Sequence, residues 1–170
     1  MNRIMLATSC CFGVLALSAC SKKAPESLPP APAAVAPPST PAPATSGITP
    51  GSQADFLAAM RGRDTIYFNT DRYDIDSESA ASLRTQAEWL ARYPQKRAVV
   101  EGHADERGTR DYNLALGERR ASSARAYLVS LGVAETRLSV VSYGEERPAA
   151  NRSDEAAWAL NRRAVTVTID

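Results

Sequence analysis

Cysteine is nearly missing from this chain: the 170 residues hold three, at positions 10, 11 and 20, and none beyond. The rest of the chain therefore has no thiol to pair, which excludes a disulfide framework. Histidine occurs once, as His103, so a histidine-rich metal site is excluded as well. Aromatic residues make up only 6%, too few for platforms that stack single-stranded bases. Charge of one sign is also lacking. A formal net charge of +1 gives a polyanion nothing to find, and no nucleic-acid partner is expected.

Long apolar runs are absent except at the start. Met1-Asn2-Arg3 is a short basic segment, followed by apolar and small residues from Ile4 to Ala19. That run is too short to stay in a bilayer and fits a secretory signal peptide. It ends in Leu17-Ser18-Ala19-Cys20, which resembles a bacterial lipobox. Such a signal implies acylation at Cys20 and anchoring in membrane lipid. An ordinary signal peptide with an incidental Cys20 is the weaker alternative. Two or more acyl chains anchor stably where one does not. Ser21 directly after the cysteine implies, by resemblance to bacterial lipoproteins, sorting to the outer membrane, with the remainder of the chain in the periplasm.

From about position 24 to 50 the chain is alanine, proline, serine and threonine, with almost no charge and few large apolar residues. It buries too little surface to fold, and its prolines favour an extended spacer. At about 3.1 Å per residue, ~30 such residues reach on the order of 90 Å. The expected organisation is a signal at 1–19, an acylated Cys20 with a linker over 20–54, and a folded domain over 55–170.

Within that domain Thr65-Ile66-Tyr67-Phe68 reads as a strand, and Ser77 as the cap of a helix with Leu83, Ala87, Leu90 and Ala91 on one stripe. Arg97 to His103 reads as a second strand. Thr109 caps a second helix with Asp111 in its first turn, an apolar face of Ala121, Ala124, Leu128 and Leu131, and Gly132 at its end. Arg137 to Tyr143 is a third strand. A short helix capped by Ser153 follows, and Val165, Val167 and Ile169 alternate with threonines in a closing strand. The order βαβαβαβ predicts an α/β (α+β) two-layer sandwich.

Between Asp105 and Arg120, four acids (Asp105, Glu106, Asp111, Glu118) face four bases (Arg107, Arg110, Arg119, Arg120) across a strand end, a glycine turn and a helix start. A turn that folds back on the helix flank leaves a gap between Asp105 and Arg120. A ligand carrying both a carboxylate and an ammonium would fill it, since Arg offers a planar fork and Asp accepts from an ammonium. The bland alternative, mutual pairing on a solvated surface, contributes only ~0.2–1 kcal/mol per pair and needs no ligand.

Gly102 through Ala121 follows the pattern G-[HY]-[AT]-D-x-x-G-x-x-x-Y-N-x-x-L-[SG]-x-R-R-A, with further matches at Ile66-Tyr67-Phe68, Asp71-Arg72-Tyr73-Asp74-Ile75, Val141-Ser142-Tyr143-Gly144 and Asn161-Arg162-Arg163-Ala164. On these residues the domain resembles the C-terminal domain family of outer-membrane protein A. With the lipobox and spacer it resembles the lipoprotein branch of that family. The resemblance implies a mixed four-stranded sheet with helices packed on one face. It implies non-covalent binding of the peptidoglycan stem peptide through its diaminopimelate residue, whose free end is zwitterionic. Asp105 would take the ammonium and Arg120 the carboxylate, with Asp71, His103, Ala104, Thr109, Asn113 and Leu116 lining the rest. It further implies a periplasmic β-propeller partner of the Tol system and a role in outer-membrane constriction during division. No cofactor, no metal and no catalysis are expected; a cell-wall hydrolase or a purely structural surface lipoprotein are the alternatives.

Two residues depart from the smooth reading. Thr70 lies in the segment Asn69-Thr70, where the family usually has an aromatic or acidic residue; its loss of an apolar wall predicts weaker binding or a relaxed pocket, not lost function. Gly117 inside a helix costs about 1 kcal/mol relative to alanine, and is expected to let the ligand approach closely. Arg162 and Arg163 are expected to be structural, bonding carbonyls or covering apolar surface with their stems.

Overall fold

The structure is a computed structural model and describes residues 47–169. The expected signal peptide, Cys20 and all but the end of the linker lie outside the described residues. The elements are α1 (Gln53–Met60), β1 (Thr65–Tyr67), α2 (Ser77–Arg92), β2 (Arg97–His103), α3 (Arg110–Ser130), a 3-10 turn (Glu135–Arg137), β3 (Leu138–Gly144), α4 (Glu155–Asn161) and β4 (Arg163–Ile169). The expected βαβαβαβ order is present, preceded by α1, which was not anticipated.

One mixed four-stranded sheet runs β1-β4-β2-β3. Strands β2 and β3 are parallel and joined through α3, while β4 lies antiparallel between β1 and β2. A single apolar core holds α1, α2 and α3 against this sheet, through Phe56, Met60, Leu83, Leu90, Trp89, Val100, Ala121 and Leu128. Helices therefore cover one face.

The local signals hold with small shifts. Asp76, not Ser77, caps α2 by accepting from the Ser79 N–H at 2.8 Å. Asp154, not Ser153, caps α4 in the same way. A carboxylate next to the donor wins over the neighbouring hydroxyl because the capping bond is then charge-assisted. Ala91 and Leu131 are exposed, and the α2 stripe instead buries Trp89 and Gln86. The third strand begins one residue late, at Leu138, because Arg137 closes the 3-10 turn.

In β4 the inward face carries Ala164, Thr166 and Thr168, and the valines point to the opposite, half-buried face. The buried hydroxyls have partners: Thr166 donates to Gln86 Oε1 at 2.7 Å, and Thr168 bonds Gln53. Because β1 is only three residues long, β4 outruns it. The Thr168 N–H then donates to the Gln53 side chain, continuing the ladder past the strand end.

Where α3 crosses β2, both backbones are bare. A Cβ on Gly102 would sit 1.8 Å from the Gly117 carbonyl oxygen, and one on Gly117 would meet Ser142 Oγ at 2.5 Å. Gly117 thus serves helix–strand contact and faces the sheet rather than a ligand, which corrects the expectation above. This close approach brings Arg120, three residues further along α3, beneath the end of β2.

Candidate binding cleft

Beyond the C-terminal end of β2 lies a cleft of about 530 Å³, lined by the β1–α2 loop, the 105–109 turn and the first turns of α3. Six of the expected residues line it: Asp71, Asp105, Thr109, Asn113, Leu116 and Arg120. Thr70, Arg107, Gly108 and Tyr112 join them.

Arg120 is fully buried. Its guanidinium donates to three backbone oxygens, of Arg72 (2.9 Å), His103 (2.8 Å) and Asn69 (3.2 Å). None of the ion pairs among the described residues involves it. Burial pushes its pKa down to about 10, which leaves it charged at neutral pH. A buried cation fixed by carbonyls and bordering open space is suited to a carboxylate, because desolvated charge gains most from a matching ion.

Asp105 is not an open acceptor. Its Oδ1 accepts from the Arg107 backbone N–H and Nε, both at 3.1 Å, and its Oδ2 accepts from an Arg107 terminal nitrogen at 2.8 Å and from Arg162 at 3.3 Å. Burial raises its pKa, but the Arg107 bonds outweigh that and hold the carboxyl below the usual carboxylate range. Asp71 adopts a left-handed backbone, φ 54°, uncommon for a residue with a side chain. Its carboxylate accepts from the Tyr112 hydroxyl at 3.1 Å, and this bond is the main reason the phenol pKa is raised. Thr109 caps α3 by accepting from the Tyr112 N–H. Asn113 ties the turn to its neighbours by donating to the Arg107 carbonyl and to Glu145. Leu116 contributes a buried apolar wall.

Two expected residues do not line the cleft. Strand alternation that turns Ala98, Val100 and Gly102 into the core turns His103 away from it. Its ring lies 5.6 Å from the Tyr143 ring and 3.9 Å from Glu101 Oε2, and both ring nitrogens are buried without a hydrogen-bond partner. Burial, then the Arg163 and Arg147 charges, pushes its pKa down to about 4. Only the His103 carbonyl serves the site, by accepting from Arg120. Ala104 is buried and locks the turn by donating its N–H to the Gly144 carbonyl at 2.8 Å.

The comparisons with known proteins fit this architecture. The model of the OmpA family matches residues 67–162. The chain belongs to the OmpA family. Among curated OmpA-family relatives, a "Peptidoglycan-associated lipoprotein" of Mesorhizobium japonicum is 55% identical over 118 residues, covering 69% of each chain. One of the same name from Rhizobium meliloti is 54% identical over 119 residues, 70% of this chain and 66% of its own length. The crystal structure of the peptidoglycan-associated lipoprotein from Burkholderia pseudomallei is 43% identical, with a TM-score of 0.60, over 62% of this chain and 89% of that one. The C-terminal domain of Helicobacter pylori MotB shares the fold at 20% identity and a TM-score of 0.58.

Arg107, Gly108 and Tyr112 line the cleft although the sequence did not single them out for it, and a further arginine stands behind it. Arg162 is buried and donates to the Phe68 carbonyl, to Asp105 and to Glu155. It is thus a structural arginine, as expected, that also pairs with the cleft acid. It lies 57 residues from Asp105 in sequence, so no local pattern links them. Arg163 is held by the Arg147 and Asn161 carbonyls. Thr70 accepts from Arg107 at 3.3 Å instead of leaving an unfilled wall.

Proposed function

We propose that this chain is a lipid-anchored, non-covalent tether between the outer membrane and the cell wall. In this reading the cleft binds the diaminopimelate end of a peptidoglycan stem peptide, and the protein binds without catalysing a reaction. The observation that carries the reading is Arg120: a fully buried guanidinium, held by three backbone carbonyls, bordering a cleft that also presents Asp71 and Asp105. Arg120 would take the ligand carboxylate and the acids its ammonium. The names of the relatives support association with peptidoglycan and a lipid anchor.

The placement of the cleft supports a tether. The chain enters the domain at Gly51, packed on Tyr93 and Lys96 near the start of β2, whereas the cleft lies past its end. Seven residues of strand at about 3.3 Å each separate these poles by roughly 20 Å. Pull from an anchor at one pole would load the wall contact at the other without crossing it. Many copies in one membrane facing one polymer gain further from effective concentration. A β-propeller of the Tol system would be the protein partner, and outer-membrane constriction in division the cellular role.

The test is sedimentation with purified sacculi of the full chain in detergent, wild type beside Asp105→Asn, with circular dichroism to establish folding. Wild type should pellet with the wall and folded Asp105→Asn should remain largely in solution. Equal pelleting would place the wall contact outside this cleft.

A further inference from the structure

The Asp105 carboxylate has two cations of different standing. Arg162 is 6% exposed and anchored at both ends by the Phe68 carbonyl and Glu155. Arg107 is more than a third exposed, with side-chain exposure of 39%. It caps Asp105 from the cleft side through Nε and a terminal nitrogen. A ligand ammonium directed at Asp105 meets this guanidinium first.

We infer that Arg107 is a displaceable internal counter-ion that occupies the ammonium subsite and attenuates the affinity of the cleft for a ligand ammonium; this rests on the wall-binding reading. The surroundings of Arg107 carry the inference. Its guanidinium already lies 4.3 Å from the centroid of the Trp158 ring and 3.8 Å from Glu155 Oε2. Off Asp105 it therefore keeps a π-face and a carboxylate, both outside the cleft lining. Trp158 is itself fixed, donating its indole N–H to Glu106 at 3.0 Å. The Thr70 hydroxyl accepts from Arg107 at 3.3 Å and holds the closed position.

The consequence is a toll on every ligand that needs Asp105. When a binding-competent state is only a fraction of the population, the apparent dissociation constant rises by the reciprocal of that fraction, so a latch closed about nine-tenths of the time weakens binding about tenfold. Only a group that replaces the guanidinium with its own positive charge recovers Asp105. A ligand with a blocked amine neither opens the latch nor benefits from an open one. Arg107 thereby holds down the affinity of the cleft for a free ammonium and leaves a ligand with a blocked amine untouched, while Arg120 answers for the carboxylate.

The experiment is calorimetry of the full chain in detergent with two probes: the L-Ala-γ-D-Glu-diaminopimelate stem peptide with its alanine amine acetylated, and the same peptide with the side-chain amine of its diaminopimelate acetylated as well. Removal of the latch by Arg107→Ala should tighten binding of the free amine roughly tenfold and leave the doubly acetylated peptide unchanged. Trp158→Leu should weaken the free amine in wild type and have no effect in the Arg107→Ala background. Arg107→Gln, which keeps the stem over Trp158, serves the same test should the alanine variant fold poorly. Weaker or unchanged binding of the free amine by both Arg107 variants overturns the latch and makes Arg107 a ligand contact or a structural ion pair. Sacculi sedimentation in parallel separates the two failures. A wild type that pellets with the wall while the variants bind no tighter sinks only the latch; a wild type that does not pellet sinks the wall-binding reading and the latch with it.

Discussion

Two arginines at opposite poles of the sheet are held in the same manner. Arg120 donates to the carbonyls of Arg72, His103 and Asn69; Arg137 donates to those of Lys96, Leu90 and Tyr93, at 2.8, 2.9 and 2.9 Å. Burial lowers the pKa of both. Each staples loop ends that would otherwise leave carbonyls unmatched. Yet only Arg120 borders a cleft with carboxylates across it. A carbonyl-held arginine is thus a structural solution in itself, and its use for recognition depends on what stands opposite.

The largest effect is expected from disrupting the contact that forms the cleft pole. Gly102→Val introduces a side chain where even a Cβ would lie 1.8 Å from a backbone oxygen. The cost should exceed roughly 4 kcal/mol, since neither backbone can yield without parting α3 from β2. Thermal unfolding should show no cooperative transition at ordinary temperature.

Next in size is the direct contrast of the two staples. Arg120→Leu and Arg137→Leu each orphan three carbonyls, a loss of about 2–4 kcal/mol for the buried site and less for the more exposed one. Urea denaturation should register both. Among variants that remain folded, only the Arg120 change should abolish sedimentation with sacculi. Loss of wall binding in folded Arg137→Leu would mean that the two poles are coupled.

The smallest effect at neutral pH concerns His103, which shares the strand end with the cleft but not its interior. Its pKa falls from 6.5 to about 4 on folding. The unfolded chain therefore binds a proton below about pH 6.5 that the folded chain refuses until about pH 4, so stability is lost as pH is lowered through that window. His103→Phe should leave stability near wild type at pH 7 and flatten this acid slope, read as the urea midpoint between pH 7 and 4.5. An unchanged slope would mean that His103 is accessible to protons in the fold. Asp105 contributes to the same acid loss, through its ion pairs rather than through burial. Its depressed pKa contributes stability above the unfolded value and loses it as pH falls through the folded one.

Much of the fold was legible in the chain because it rests on short-range chemistry. The second strand falls on Arg97–His103 as expected, and Thr109 caps α3 as expected, since a hydroxyl before a helical period has one obvious donor to satisfy. Helix α1 was missed because its buried residues are few, Phe56 and Met60, and too sparse to announce a period. Six cleft residues lay within reach of sequence reasoning. His103 was misplaced although the alternation through Ala98, Val100 and Gly102 carried the answer: an odd position on that strand turns away from the helices.

By itself, the sequence determined the alternating order of strands and helices from β1 to β4, the cap at Thr109 and the charge-rich turn that marks the cleft, because each follows from contacts between residues a few positions apart. Only the tertiary structure decided which charges in that turn are already matched. Arg162 reaches Asp105 across 57 residues, and Arg120 finds carbonyls 48 and 51 residues away. Whether a carboxylate awaits a ligand or already holds a cation is a property of three-dimensional proximity, and electrostatic energy depends on distance in space rather than along the chain.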